Sequence, residues 1–588
     1  MNIIINGKQA VLKEGSSFEF VSENRAFTGS DSYTLSITFP LRGCLDNIAI
    51  FGNINRTDVE KSKVVFDCQI QSGNFLRTGI ITIVEISDKE VKTQFLEGRS
   101  EQNFADTFDE VFINELDLGE YPSSSLSSNP ASQWMSIDEG QEFVSLPWVN
   151  NASGIIQNEV TYSNGTYSYH SNCRGLSFQP YLIAIVKRIC SALGYSCDVS
   201  QWENDRVMRY LLICNSIPYS LYITDVATAL PHWSVTEFFE KLELFLDGEF
   251  DVNHKDKSIK FSFTSSILTS TLPTLIENIV DNYRVEVTAI DESNYVVASN
   301  VSFKECNHNM WKFYCCPWFL TNPNPLIYDT LAELIEKNKR YANVLNYYRG
   351  DNIHRIFYAK DVDTYFVIRC IRTEYVQTRP SGLEEYNKVC VLQPINVFGD
   401  KIVNEDSENN IVLDFVPAWI DDTETSKGDC LFVEMTFNET DTPNHDSPDA
   451  TNSSKVIQPS AMQSLLRGEI TERTEYYDRI YLAFWDGRIH NVGKLPCPVN
   501  DSVVIYENWD YYISPYSMRL NKNLSNHGRY KINPKQKFHF SFLSDSIPNV
   551  RSLFYINGRM YLCEKITATF SENGMSQLLK GNFYLVIE

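Results

Sequence analysis

Residues 233–263 read WSVTEFFEKLELFLDGEFDVNHKDKSIKFSF, and two different periodicities meet inside them. The Ser234 hydroxyl is placed to cap a helix start, with Glu237 three residues on to complete a capping box. Val235, Phe238, Phe239, Leu242 and Leu246 recur at three- and four-residue spacing, the apolar stripe of an amphipathic helix. Gly248 is read as the residue that ends it. From Phe250 the period drops to two. Phe250 and Val252 face Ile259, Phe261 and Phe263 across the polar turn His254–Lys257, which is the pattern of a β-hairpin. A helix running straight into a hairpin is an α+β unit.

Upstream, Leu182, Ile185, Val186, Ile189 and Leu193 fall on one helical face after Pro180, and Gly194 stands where a C-terminal cap belongs. The two helices and the hairpin place an α+β domain at 176–265. On either side the sequence is strand-like. Asn6-Gly7 and Asn557-Gly558 are both type I′ hairpin dipeptides between alternating apolar residues, and Asp486-Gly487 is a third signal of that kind. Tyr33, Leu35, Ile37 and Phe39 alternate up to Pro40; Phe66, Cys68 and Ile70, then Ile81 and Ile83, then Val91, Thr93 and Phe95 follow the same rule. Closely spaced strands with turns between them argue for a small barrel or sandwich over 1–110. Alternation returns at Tyr283, Val285 and Val287 in a second β domain at 266–400, which also holds a helix from about Pro325 to Tyr341 and strands at Thr364–Ile371 and Val389–Leu392. A last β domain spans 481–588. Between these lie 111–175, a surface excursion or interface arm containing PSSSLSSNP at 122–130, and a loop-rich connection at 401–480 containing NETDTPNHDSPDATNSS at 438–454. The fold class expected is mainly β with α+β inserts, in several domains; at about 100–200 residues per domain, 588 residues allow about three to five.

The balance of 75 acidic against 51 basic residues gives a formal charge of −24. A surface this acidic does not gather phosphate backbones, so sequence-reading nucleic-acid binding is not expected. Aromatics make up 13% of the chain, which favours strands and interfaces. The start, MNIIINGKQAVLK, has no basic segment, apolar core and cleavage site of a secretory signal. No apolar run nears the ~18 residues of a membrane span, so no stable membrane anchor and synthesis in a cytoplasm are expected. The 14 cysteines are scattered without C-x-x-C spacing, as befits reduced thiols in cores.

Candidate chemistry is sparse. Cys306, His308, Cys315 and Cys316 lie close together, but their spacing matches no structural zinc pattern and packing is the better reading. His490 and His539 sit in expected strands. No H-E-x-x-H, G-x-S-x-G, P-loop or G-x-G-x-x-G run occurs. Glu384-Glu385 and Asp421-Asp422 could serve a glycosidase only if two carboxylates converged, and neighbours on a strand point to opposite faces. The aromatic groups Trp318-Phe319, Tyr347-Tyr348 and Trp509-Asp510-Tyr511-Tyr512 could stack on sugars but fit cores or subunit contacts better. No catalytic, cofactor-binding or metal residue is assigned, and the protein is expected not to be an enzyme.

Three stretches carry a resemblance: 27–56 (FTGSDSYTLSITFPLRGCLDNIAIFGNINR) continued at 79–98, then 233–263, then 542–584 (FLSDSIPNVRSLFYINGRMYLCEKITATFSENGMSQLLKGNFY). They resemble the tail-hub and baseplate proteins of phages and prophages of Bacteroides-type bacteria. The resemblance implies a virion protein at the tail tip, with two β-barrel ring domains per subunit, at 1–110 and 266–400, in a homotrimer. It implies as partners the tail tube, distal tail or baseplate, tape-measure and fibre or spike proteins, with phage DNA passing through the lumen unread. The alternatives are a receptor- or carbohydrate-binding tail protein and, behind it, a tail-associated lysin.

Overall fold

The computed structural model describes residues 1–28, 32–59, 64–97, 108–120, 142–150, 156–158, 160–163, 166–169, 173–213, 215, 217–218, 226–253, 256–269, 272–280, 283–288, 301–303, 326–339, 343–344, 357–362, 364–382, 384–395, 411–417, 419–421, 430–433, 479–484, 503–505, 509–513, 530 and 532–587. The chain is mainly β, arranged in several sheets.

The largest sheet has 14 strands, drawn from both ends of the chain. Its path starts at Lys8–Ala10, which folds back on Asn2–Ile5 through Asn6 (φ 48°) and Gly7 (φ 76°), the left-handed pair a type I′ turn needs. It continues through Val65–Ser72, Phe75–Ile86, Glu90–Leu96 and Tyr33–Thr34 to Ser17–Glu23. There it crosses to the other end of the chain. Ser17–Glu23 pairs antiparallel with Arg559–Ser571, setting Phe18 opposite Phe570 and Phe20 opposite Ala568. Gly574–Val586, Ile532–Leu543 and finally Arg284–Val287 complete the path. One core lies beneath, in which Phe20, Phe39 and Phe95 pack with Phe540, Phe554, Phe570 and Phe583.

Two expectations change here. Among the described residues no pairing closes the sheet on itself, so the N-terminal barrel is an open sheet. The reason is the Ser17–Glu23 strand, whose outer edge is taken by Arg559–Ser571. Residues 2–96 and 532–586, from stretches set apart in sequence, thereby share one sheet and one core, while Tyr481, Leu482, Phe484 and Trp509 of the 481–588 stretch pack in other cores. The alternation at 33–39 also breaks. Leu35 is 47% exposed while Thr34 is buried, because the strand bends after Thr34, whose Oγ1 accepts from the Phe95 amide at 2.9 Å.

The α+β unit has its own core. Helices Leu182–Ala192 and Val235–Leu246 pack with the hairpin Gly248–Asn253 and Ser258–Phe263. Ser234 Oγ accepts from the Glu237 amide at 3.1 Å, so the Ser234 half of the cap forms as read, while the Glu237 carboxylate lies 3.3 Å from Lys241 Nζ. The stop differs in detail. Asp247 takes the left-handed cap (φ 50°), and Gly248 already belongs to the strand. A Cβ at Gly248 would sit 2.4 Å from the Phe261 ring, so the glycine is there for close packing. Distant chain completes this core: Phe415 and Ile480–Phe484 enter it, with Leu482 opposite Ile213. The 401–480 connection therefore ends in strands that the α+β unit needs.

The 266–400 stretch divides. Thr274–Ile276 and Arg284–Val287 join the large sheet, whereas Leu326–Tyr328, Asn343–Val344, Phe357–Ala359, Thr364–Thr378 and Glu384–Ile395 form a separate sheet of five strands. The helix Leu331–Asn338 packs on it, capped by Thr330 Oγ1 accepting from the Glu333 amide.

Candidate assembly surfaces

Three arms of the chain meet where the large sheet abuts the α+β unit. Arg25 starts a short helix after Ser17–Glu23, and its guanidinium is only 6% exposed. It donates to the Phe250 carbonyl at 2.9 Å and to Asp251 Oδ1 at 3.2 Å, with Glu243 Oε1 3.5 Å away. Arg551 reaches Asp251 too, from the far end of the chain, with its Nη1 2.8 Å from Asp251 Oδ1 and 3.1 Å from Glu249 Oε2. Glu243 in turn accepts from the Phe250 amide at 2.6 Å. Two guanidiniums and three carboxylates thus stitch helix, hairpin and both chain ends together. Planar, multidentate donors suit such a joint, since each fixes direction as well as charge. Beside it opens a cleft of about 800 Å³ whose lining includes Glu23, Arg77, Glu97 and Asp251. With both signs of charge spread along its wall, this cleft has no bias towards anions or cations.

The ends of the large sheet are treated differently. At Lys8–Ala10 the helix Leu45–Phe51 covers the edge. Asn47, fully buried, accepts from the Val11 amide at 2.9 Å and donates to the Val11 and Pro40 carbonyls, each at 2.8 Å. Lys8 Nζ adds a bond to the Ala49 carbonyl. Covering an edge in this way is a standard protection against unwanted strand addition. At the other end, among the described residues, Arg284–Val287 pairs on one side only, with Ile532–Leu543. Its apolar alternation, read from sequence, faces outward in the structure: Tyr283 is 57%, Val285 36% and Val287 71% exposed. An apolar, unprotected edge marks an interaction site in a natural protein.

His539 lies next to this edge. Its Nδ1 is 2.8 Å from Asn582 Oδ1 and its Nε2 3.1 Å from Glu286 Oε2. It therefore ties the edge strand to its neighbour. Trp509 is buried with Leu392 and Phe366 in the core of the five-stranded sheet, so it is no sugar platform, while Asp510 and Tyr511 beside it are exposed. Glu384 and Glu385 stand at adjacent positions of one strand, opposite Thr378 and Gln377. Asp421 ends the strand Trp419–Asp421. Cys306, His308, Cys315, Cys316, Trp318, Phe319, Tyr347, Tyr348, Asp422, His490 and the Asp486-Gly487 turn lie outside the described residues, as do 122–130 and 438–454. Among the described residues no three of His, Cys, Asp and Glu gather as a metal site would require, and no helix is long and apolar enough to cross a membrane.

Sequence reasoning missed the joint and the bare edge. The joint's residues stand 226 and 300 positions apart and carry no motif. For the edge, alternation announced a strand but not that its apolar side would meet solvent.

No protein-family model matches the chain, and no curated protein matches it. Among solved structures it is similar to the 43 kDa tail protein of prophage MuSo2 from Shewanella oneidensis, at 7% identity and a TM-score of 0.29, over 100% of this chain and 97% of that one. A likeness of that degree bears on neither mechanism nor partners.

Proposed function

We propose that this chain is a structural component of a bacteriophage tail, a hub or baseplate subunit whose work is assembly. The observation that carries the reading is where the three hub-like stretches end up. Phe27, in the first, stacks on Tyr584, in the third, with ring centroids 4.9 Å apart and planes 4° apart. Arg551, in the third, binds Asp251, in the second, at 2.8 Å. Stretches hundreds of residues apart in sequence thus meet in contact with one another, as the parts of one architectural unit must.

In this reading three copies close a ring at the distal end of the tail tube, joining it to the tip. Cyclic closure uses every contact surface and stops growth at a fixed number. The net charge of −24 suits a conduit, because carboxylates on the lumen wall repel DNA phosphates and let the genome slide without being read. The tube, the tape-measure protein and fibre or spike proteins are the neighbours such a ring meets. Native mass spectrometry of the purified chain tests it: the reading expects a copy number divisible by three, and a monomer or a dimer overturns the ring.

A further inference from the structure

We infer that the bare edge strand Arg284–Val287 is a self-pairing surface, taking the same strand of a second copy across a two-fold axis. The surface goes beyond the ring proposed above, which uses other contacts.

The backbone fixes which groups are on offer. Thr288 N donates to Lys535 O at 3.0 Å, so in the antiparallel ladder with Ile532–Leu543 the even-numbered residues Glu286 and Arg284 direct their N–H and C=O inward. The odd-numbered Tyr283, Val285 and Val287 then present theirs to solvent. An antiparallel partner centred on Val285 meets Val285 of the second copy as a hydrogen-bonded pair, and its flanking bonded pairs set Tyr283 against Val287 in both directions.

The side chains agree with that register and not with its neighbours. Centred on Val285, each Arg284 faces the second copy's Glu286, giving two opposite-charge pairs on one side of the sheet. On the other side Tyr283, Val285 and Val287 meet only one another. A shift by one residue sets Arg284 against Val287 and Val285 against Glu286, mixing apolar with charged groups on both sides. The strand is complementary to itself. Arg284 is available for this role, being 75% exposed and 4.0 Å from the Glu286 carboxylate of its own strand. The pairing also extends the core beneath, since Val285 is opposite Phe538, itself opposite Phe583. The apolar row would run unbroken from one copy's core to the other's.

The occupant is a second copy and not a foreign strand because the charge order, Arg then Glu around a central valine, answers itself. The other end of the sheet cannot serve as the partner, since the helix Leu45–Phe51 already covers it.

The test is native mass spectrometry of the full chain with two variants, each checked for fold by circular dichroism. R284E sets Glu against Glu286 twice and is expected to weaken association by about tenfold or more. R284E combined with E286R restores opposite charges and is expected to recover it. Six wild-type copies falling to three in R284E, and returning in the double variant, supports both pairing and ring. Two copies falling to one supports pairing and overturns the ring. Three wild-type copies, or one, overturns pairing, as does a mass unchanged by R284E.

Discussion

Arg25 and Asp251, 226 residues apart, share a hydrogen bond of 3.2 Å at the seam between the large sheet and the α+β unit. The guanidinium also holds the Phe250 carbonyl and faces Glu243, whose side chain is only 13% exposed. Arg25→Ala leaves that carboxylate without its buried cation, an uncompensated charge in low dielectric. The expected loss is about 3 kcal/mol, read from urea unfolding followed by tryptophan emission. Arg25→Lys recovers part of it, because an ammonium cannot span carbonyl and carboxylate together. Equal stability of Arg25→Ala and wild type would show that the seam does not depend on this contact.

The joint makes plain what could and could not be read from sequence. Local chemistry was legible. Asn6-Gly7 and Asn557-Gly558 take the two left-handed conformations their side chains allow, and Ser234 caps its helix because an oxygen two bonds from the backbone reaches the Glu237 amide. Pairing was not legible. Alternation tells that Phe18 and Phe20 are buried, but a face is satisfied by any apolar neighbour, so nothing local names Arg559–Ser571 as the partner. The same gap hid the bare edge. Tyr283, Val285 and Val287 look like a core face, and among the described residues that face stays 36–71% exposed.

Phe415 tests whether the distant strands belong to the α+β core. It is fully buried, stacks on Phe245 at 5.3 Å between centroids, and lies 5.7 Å from Trp233. Phe415→Ala opens a cavity among three aromatics, at an expected cost of about 3–5 kcal/mol. Because Trp233 lines the cavity, its emission is expected to shift to the red in the folded variant. Unshifted emission and unchanged stability would mean that 415 packs elsewhere.

Asn47 guards the opposite sheet end, and its amide accepts one bond and donates two, with no solvent contact. Asn47→Leu keeps the volume and strands the Val11 amide and two carbonyls, each worth about 1–3 kcal/mol when left unpaired. Asn47→Asp keeps the shape and the bond from Val11 N, but turns a carboxylate oxygen towards the Val11 and Pro40 carbonyls. It is expected to be at least as damaging as the leucine, although it is the smaller change. With the helix loosened the Lys8–Ala10 edge is uncovered, so both variants should also scatter more light at equal concentration. A harmless Asn47→Asp would place the helix anchor elsewhere.

Tyr33 gives the large sheet a response to alkali. Its hydroxyl donates to Glu23 Oε1 at 3.2 Å. Burial, then the Glu23 charge and that hydrogen bond, push its phenol up from 10.0 to about 12. All three causes disfavour the tyrosinate, which would be partly desolvated beside a carboxylate it can no longer donate to. The unfolded chain ionises Tyr33 near 10, so the unfolded state releases this proton before the folded one does. The contribution to stability is therefore complete below pH 10 and is lost as pH rises from about 10 through about 12. Absorbance at the tyrosinate band should contain a step near pH 12 that Tyr33→Phe removes. Between pH 10 and 12 the wild type should lose more stability than Tyr33→Phe does, since the phenylalanine has no proton to release. If Tyr33→Phe leaves the titration curve unchanged, the Tyr33–Glu23 contact does not persist in solution, and the strand Tyr33–Thr34 is held by its backbone pairs to Ser17–Glu23 and Glu90–Leu96 and by the Thr34–Phe95 bond without it.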